Sequence, residues 1–133
     1  MSEFKQVLVL RQTFPDAQGV ARKLRTGKYI AQAAHASITA ILENFITDGK
    51  LDYKGCDEWF DLKNHQAKIA VYVKDEAELF AIHEAAKAAG LPTSLIQDSG
   101  HTEFAGVPTY TAVAVGPASK EEVNKITGHL PLL

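Results

Sequence analysis

The sequence has only one cysteine, Cys56, among its 133 residues, so no disulfide can form within the chain. No apolar run approaches the roughly 18 residues of a membrane-spanning helix. The first twelve residues lack the small-residue cleavage pattern and the long apolar segment of a secretory signal. With 46% hydrophobic and 23% charged residues, the chain has the composition of one globular domain over residues 1–133. We therefore expect a cytoplasmic, single-domain protein.

The motifs of several common active sites are also missing. The five histidines form no HExxH pair, and Cys56 has no cysteine or histidine partner at a zinc-site spacing. Neither the G-x-S-x-G of a serine nucleophile nor a glycine-rich phosphate loop occurs. We therefore expect no metal and no cofactor. Any hydrolysis would use water or a substrate hydroxyl as the nucleophile.

The charge is unevenly distributed along the chain. The net charge is −2, but residues 1–30 carry six basic and two acidic side chains, whereas the remainder carries 8 basic and 14 acidic ones. A basic cluster formed by Arg22, Lys23 and Arg25 comes directly before Lys28. Such a cluster suits a polyanion such as RNA, and it is equally compatible with a solvated basic turn.

Hydrophobic periodicity predicts alternating strands and helices in the order βαβαββα. The unbroken apolar run Val7–Leu10 is typical of a central strand that is covered on both faces. The pattern therefore predicts an α/β fold, a three-layer sandwich with a four-stranded mixed sheet and helices on both faces. The predicted strands lie at 4–10, 67–73, 93–96 and 110–115, and the predicted helices at 28–46, 75–90 and 119–128, with a short helix or packed excursion at 49–66.

Polar side chains form a stripe along the first predicted helix, next to an apolar face. Lys28, Gln32, His35 and Thr39 fall within an arc of about 60° around the helix axis, whereas the apolar face comprises Ile30, Ala34, Ile38, Ile41 and Phe45. An amine, an amide and an imidazole in one narrow arc can bind and position a substrate. The alternative is that His35 is a boundary histidine and Lys28 a solvated lysine of the first turn.

A second polar cluster follows the third predicted strand, in the loop from Gln97 to Pro108. The loop contains Asp98, Ser99, His101, Thr102 and Glu103. Ligands in open α/β sheets bind beyond the carboxyl ends of the strands, where this loop and the first helix are expected to meet. Asp-Ser-Gly is also ordinary turn chemistry, so the loop is either a surface turn or part of a site.

Three stretches carry a resemblance to a known family. The stretches TGKYIAQAAHAS at 26–37, LPTSLIQDSGHTEFAGVPTYTAVAVGP at 91–117 and KITGHLPLL at 125–133 resemble the second, archaeal and eukaryotic type of peptidyl-tRNA hydrolase. The correspondence is weak only around 12–25 and 47–65. The resemblance implies metal-free hydrolysis of the ester between a peptide and the 3′ end of tRNA, with tRNA as the partner and no membrane. A homodimer is left open.

The resemblance also implies a set of site residues. The family's GK-x-x-AQ-x-x-HA motif matches Lys28, Gln32 and His35, and its aspartate-glycine-threonine loop matches Asp98, Gly100 and Thr102. A later threonine of the family matches Thr111. We therefore predict catalytic roles for Lys28, His35, Asp98, Thr102 and Thr111, and substrate binding by Gln32, Arg22, Lys23 and Arg25.

Two departures from the family pattern stand out. His101 and Glu103 occupy loop positions where many members have arginine and glutamine, which removes a fixed cation and adds a carboxylate. The connection before Gly27 is also longer than usual, with extra basic residues. A non-catalytic RNA-binding module, or an esterase or amidase for small substrates, is therefore an alternative to the hydrolase.

Overall fold

The computed structural model describes residues 3–64, 66–100, 104 and 106–133. Its main element is a four-stranded mixed sheet. Two small two-stranded ladders lie in the connections, and a single 3₁₀ turn spans Leu62–Asn64. The elements are, in chain order, β1 (Phe4–Arg11), β2 (Phe14–Pro15), β3 (Ala21–Arg22), α1 (Thr26–Asn44), β4 (Ile46–Thr47), β5 (Lys50–Leu51), α2 (Asp57–Phe60), β6 (Lys68–Val73), α3 (Glu76–Ala88), β7 (Thr93–Asp98), β8 (Thr109–Ser119) and α4 (Lys120–Thr127).

Strand β1 lies in the interior of the sheet, as its apolar sequence predicts. It pairs in parallel with β6 and antiparallel with β8, and β8 pairs antiparallel with β7. The carboxyl ends of β1, β6 and β7 and the start of β8 therefore meet at the same end of the sheet. We call this the carboxyl end; it is formed by Arg11, Val73, Asp98 and Thr109.

Helices cover both faces of the sheet, which confirms the predicted three-layer α/β sandwich. On one face, Val7, Val9, Val113 and Val115 pack against α3 and α4. On the other face, small residues of α1 pack against the alternate residues of the same strands, with Ala36 and Ala40 fully buried. These alanines allow α1 to approach the sheet closely.

The apolar face of α1 is not the face that contacts the sheet. Ile30 and Ile38 are 64% and 52% exposed, and Ala34 is exposed as well, whereas Ile41 is half-buried and Phe45, just beyond the helix, is fully buried. The buried residues of the helix are Gln32, Ala36 and Ala40. The polar stripe therefore lies at the margin of the contact between α1 and the sheet, and Gln32 lies between the helix and the sheet.

The local signals of the other helices are confirmed. Asp75 caps α3 by accepting a hydrogen bond from the amide of Glu78, and Ser119 caps α4 through the amide of Glu122. The segment 49–66, where a short helix or packed excursion was predicted, contains the short helix α2 and the 3₁₀ turn. No helix among the described residues is long and apolar enough to cross a membrane.

Strand β8 is longer than predicted, because it continues through Gly116 and Pro117 to Ser119. Proline has no amide hydrogen to donate to a neighbouring strand. Pairing with β7 already ends at Thr93 and Val115, so Pro117 lies where β8 has only β1 as a neighbour. The proline therefore costs no hydrogen bond to β7.

Candidate active site at the carboxyl end of the sheet

The carboxylate of Asp98 is the centre of a polar cluster at the carboxyl end of the sheet. Its Oδ2 accepts hydrogen bonds from Lys28 Nζ at 2.7 Å and from Gln32 Nε2 at 3.1 Å. Its Oδ1 accepts a hydrogen bond from the backbone amide of Gly100 at 2.7 Å. The Lys28 and Asp98 side chains are only 15% and 11% exposed. The fold thus brings together the first helix and the loop after the third predicted strand, as expected.

A β-bulge in β8 adds Thr111 to this cluster. Ile96 pairs with Ala112 and Gln97 pairs with Tyr110, so Thr111 is the extra residue of β8. The bulge turns the Thr111 hydroxyl towards α1, where it donates a hydrogen bond to Gln32 Oε1. Because this bond occupies the amide oxygen, the amide nitrogen of Gln32 faces Asp98. Thr111 and Gln32 are 1% and 2% exposed, so this part of the cluster is closed to solvent.

The pKa of Asp98 reflects two opposing effects. Burial on its own raises the pKa, because loss of water disfavours the charged carboxylate. The hydrogen bonds from Lys28, Gly100 and Gln32, together with the positive charge of Lys28, outweigh burial and hold the pKa below its usual value. Asp98 is therefore ionised at neutral pH, and it keeps its pairing with the ammonium group of Lys28.

Gly100 shapes the loop that presents Asp98. Its φ of +86° is in the left-handed region, and a Cβ atom there would lie 2.2 Å from the carbonyl oxygen of Val107. The Gly100 carbonyl oxygen also accepts a hydrogen bond from the Gly106 amide at 2.8 Å. Only glycine fits this close approach, so the amide that binds Asp98 is held by the backbone of the loop itself.

Tyr29 is a structural residue of the site that the sequence pattern did not single out. Its hydroxyl donates to the Gln12 carbonyl at 2.7 Å and accepts from the Leu24 amide at 3.2 Å. These bonds attach the connection before α1 to the carboxyl end of β1. The only sequence signal was its position next to Lys28 at the start of the helix. That position does not distinguish a tyrosine that holds the fold together from one that binds the substrate.

Three of the four predicted substrate-binding residues, Arg22, Lys23 and Arg25, lie on this connection and are exposed, whereas the fourth, Gln32, is buried against Asp98. Arg22 is paired with Asp16, with 2.9 Å between Nε and Oδ2, across the β2–β3 hairpin. Lys23 and Arg25 follow, and Arg25 is the residue that precedes α1. The cluster thus leads directly to Lys28, although the charge of Arg22 is partly balanced within the hairpin.

His35 is the predicted catalytic residue that the structure does not bring to Asp98. His35 is exposed on α1, seven residues beyond Lys28 and therefore about 10 Å further along the helix axis. Thr102 lies outside the described residues, as do the departures at His101 and Glu103. Both catalytic assignments stay predictions.

The described part of the cluster has the elements of hydrolytic chemistry. An ionised carboxylate can orient a water molecule, and an adjacent ammonium group can stabilise negative charge that develops on a carbonyl oxygen. No group of three histidine, cysteine, aspartate or glutamate side chains that could hold a metal ion occurs among the described residues. The donor set here is a single carboxylate paired with a lysine, which is a poor metal site.

Comparison with known proteins gives a consistent result. The model of the family Peptidyl-tRNA hydrolase PTH2 matches residues 4–133. A peptidyl-tRNA hydrolase of Methanocaldococcus jannaschii is 44% identical over 80% of this chain and 87% of its own length. One from Methanopyrus kandleri is 39% identical over 98% of both chains. A probable peptidyl-tRNA hydrolase 2 of Drosophila melanogaster is 36% identical over 98% of this chain and 62% of its own.

Proposed function

The chain belongs to the peptidyl-tRNA hydrolase PTH2 family and hydrolyses the ester bond of peptidyl-tRNA; we propose that the cluster around Asp98 is where it does so. The products of this reaction are free tRNA and a free peptide. The observation that carries the proposal is the contact of one ionised carboxylate with Lys28 Nζ at 2.7 Å, at the end of the sheet. Ligands bind at this end in α/β folds.

The proposed reaction needs a water molecule, a carboxylate and a cation. Asp98 accepts a hydrogen bond from the water and orients it towards the ester carbonyl carbon. Lys28 stabilises the negative charge that forms on the carbonyl oxygen. The water oxygen forms a bond to the carbonyl carbon, the bond from that carbon to the ribose oxygen then breaks, and a proton originating from the water is transferred to the ribose oxygen. The low pKa of Asp98 favours the role of orienting the water over that of storing its proton.

Gln32 and Thr111 act as positioning residues in this proposal. The Thr111 hydroxyl fixes the orientation of the Gln32 amide, and the amide in turn holds Asp98 Oδ2. Because both side chains are buried, they reach the substrate only through Asp98. Thr111, predicted as catalytic from its motif, is thus assigned an indirect role. Thr102 remains a predicted catalytic residue.

The tRNA backbone is proposed to lie against the basic residues before α1. Lys23 and Arg25 are exposed beside the site, and phosphate contacts by such side chains supply affinity without sequence preference. His35 lies further along the exposed flank of α1, so we propose that it contacts the tRNA rather than the attacking water. A translation substrate of this kind supports a cytoplasmic location for the protein.

A homodimer is proposed on the exposed apolar face of α1. Ile30 and Ile38 are each more than half exposed along this helix, and Ala34 between them is exposed as well. Exposed apolar patches with a polar surround are typical of protein–protein contacts. A second copy of the same helix can cover this face by an isologous contact, which is the commonest form of symmetry in soluble oligomers.

An end-point assay with N-acetylated aminoacyl-tRNA tests the proposed activity. The expected result is release of free tRNA by the purified protein, with equal rates in the presence and absence of a metal chelator. Comparison with the same amino acid ester lacking the tRNA body separates a tRNA hydrolase from a small-substrate esterase, which would hydrolyse both. Absence of turnover on the tRNA substrate would favour the non-catalytic RNA-binding module.

A further inference from the structure

A second cavity opens at the carboxyl end of the sheet, on the face opposite the Asp98 cluster. It has a volume of about 610 Å³, which falls within the range of small-molecule sites. Arg11, Tyr110 and Glu76 line it from the sheet and the start of α3, and Phe14, Phe104 and Val107 line it from the hairpin and the loop. None of these residues has a part in the hydrolysis described above.

The walls of this cavity are aromatic. The rings of Phe14 and Phe104 lie 5.0 Å apart between their centroids, and the Arg11 guanidinium carbon lies 4.4 Å from the Phe14 centroid. Tyr110 contacts Phe80 edge to face at 4.9 Å, which fixes its ring at the inner side of the cavity. Phe14 and Arg11 are only 4% and 6% exposed, so the surfaces left to stack on a planar ring are the half-buried rings of Phe104 and Tyr110. Nucleobases are the usual partners of such rings in RNA-binding proteins.

The charges of the cavity exclude an anionic occupant. Glu76 and Asp16 line it, and Arg11 is the one cation among the described lining residues. Arg11 already donates to the carbonyl oxygens of Thr13 and Tyr110, at 2.8 Å from Nε and 3.2 Å from Nη1. Arg11 also lies 3.9 Å from Glu76, and Asp16 is paired with Arg22, so a phosphate or a free carboxylate would find no unbalanced positive charge among the described lining residues. A neutral ring whose amino groups donate hydrogen bonds to these carboxylates would suit the cavity.

The cavity lies next to the proposed site of hydrolysis. Thr109, which lines the cavity, is the strand partner of Asp98. Val107 forms the cavity rim, and its carbonyl oxygen is the atom that a Cβ on Gly100 would strike. The cavity and the Asp98 cluster are therefore neighbours across the end of the β7–β8 pair.

We propose that this cavity binds the adenine ring of the 3′-terminal nucleoside of the substrate. This inference rests on the proposed function, since it places the ester at Asp98. The terminal adenosine is the one group next to the ester that is the same in every tRNA, whereas the adjacent amino acid varies. A cavity of fixed shape is useful for recognising a group that is the same in every substrate. Adenine is such a group; it is neutral and carries an amino group that can donate a hydrogen bond to Glu76 or Thr109.

The test compares two substrates that differ only in the last nucleotide. N-acetylphenylalanyl-tRNA ending in CCA and a counterpart ending in CCC are prepared by chemical acylation, and kcat/KM is measured for both. We expect wild type to favour the adenosine-ended substrate at least about tenfold, in line with the contribution of one stacked base. Equal kcat/KM values for the two would overturn the proposal and leave the hydrolase function intact. No hydrolysis of either substrate would instead contradict the function itself.

Variants of the lining residues test whether the preference for the adenosine-ended substrate arises in the cavity. Phe104→Leu should lower kcat/KM for the adenosine-ended substrate far more than for the cytidine-ended one, because it removes a ring that can stack on the base. The matched control is Phe60→Leu, in the separate aromatic cluster beside α2, which should keep the full preference. If Phe104→Leu does not fold, Val107→Ala at the exposed rim should lower the preference about threefold. Equal losses on both substrates, or a preference that follows the amino acid instead of the nucleotide, would refute the assignment.

Discussion

At the scale of single residues, the pKa of Asp98 links the geometry of the cluster to a measurable pH dependence. The folded pKa is lower than that of an ordinary aspartate. The group therefore stabilises the folded state above the unfolded pKa, and this contribution is lost as the pH falls through the folded pKa. Wild-type activity should accordingly have an acid limb below the ordinary aspartate value of about 3.9.

Gln32→Glu tests this link. The substitution places a second carboxylate where the amide nitrogen is now 3.1 Å from Asp98 Oδ2. Two carboxylates at this distance cannot both be ionised, so the pair should retain a proton and the acid limb of kcat/KM should move up by about one pH unit or more. The control is Gln97→Glu, on the opposite face of β7. An unchanged acid limb in Gln32→Glu would show that Asp98 ionisation does not limit the rate.

Gly100→Ala tests the loop that holds the carboxylate. The added Cβ would strike the Val107 backbone at 2.2 Å, so the loop must shift and the hydrogen bond from the Gly100 amide to Asp98 should break. We expect the rate to fall about tenfold or more, as for other losses of positioned groups. Gly106→Ala is the matched control, since it has a similar φ of +81° and no atom within 4 Å. Equal effects of the two substitutions would mean that backbone strain alone is responsible.

At the scale of elements, the connection between β3 and α1 is the proposed contact with the tRNA backbone. Replacing Lys23 and Arg25 together by glutamine should weaken tRNA binding and leave the rate at saturating substrate largely intact. The log-log dependence of the binding constant on salt should become less steep by roughly 0.7–0.9 for each phosphate that the variant no longer binds. Lys87 and Lys125, on the helices of the opposite face, provide the control pair. A slope that stays the same in the first variant would place the tRNA elsewhere.

The main helices and strands could be predicted from the sequence because their signals are local. The N-caps at Asp75 and Ser119 and the apolar run of β1 depend on neighbours within a few residues. The orientation of α1 could not be predicted in this way, since close packing of Ala36 and Ala40 against the sheet overrides the more hydrophobic isoleucine face. The length of β8 was also missed, because the tolerance of Pro117 depends on where its partner strand ends.

The candidate site was predictable to a similar degree. Topology and the motifs brought Lys28, Gln32 and Asp98 to one place, and the structure puts them in contact. Strand alternation would have placed Thr111 on the face of Val113, and only the bulge turns it to Gln32. The aromatic cavity was not predicted, because Phe14, Phe104 and Tyr110 come from separate segments with no common motif.

At the scale of the whole molecule, the exposed isoleucine face of α1 bears on the oligomeric state. A homodimer would have a mass of twice the 14.5 kDa of the chain, and sedimentation equilibrium measures this directly. Ile38→Lys should give a monomer, because it places a charge in the middle of the proposed contact. Leu132→Lys, at an exposed position of the C-terminal segment, should leave the mass unchanged. A monomeric wild type would refute the homodimer.

The central claim for the whole molecule is that peptidyl-tRNA is hydrolysed at Asp98. The most direct measurement is the single-turnover rate of N-acetylated aminoacyl-tRNA hydrolysis by wild type, Asp98→Asn and the control Asp75→Asn, whose asparagine still caps α3. We predict that Asp98→Asn loses about 10²-fold or more of the rate while remaining folded, and that Asp75→Asn retains the wild-type rate. A folded Asp98→Asn protein with the wild-type rate would contradict the account.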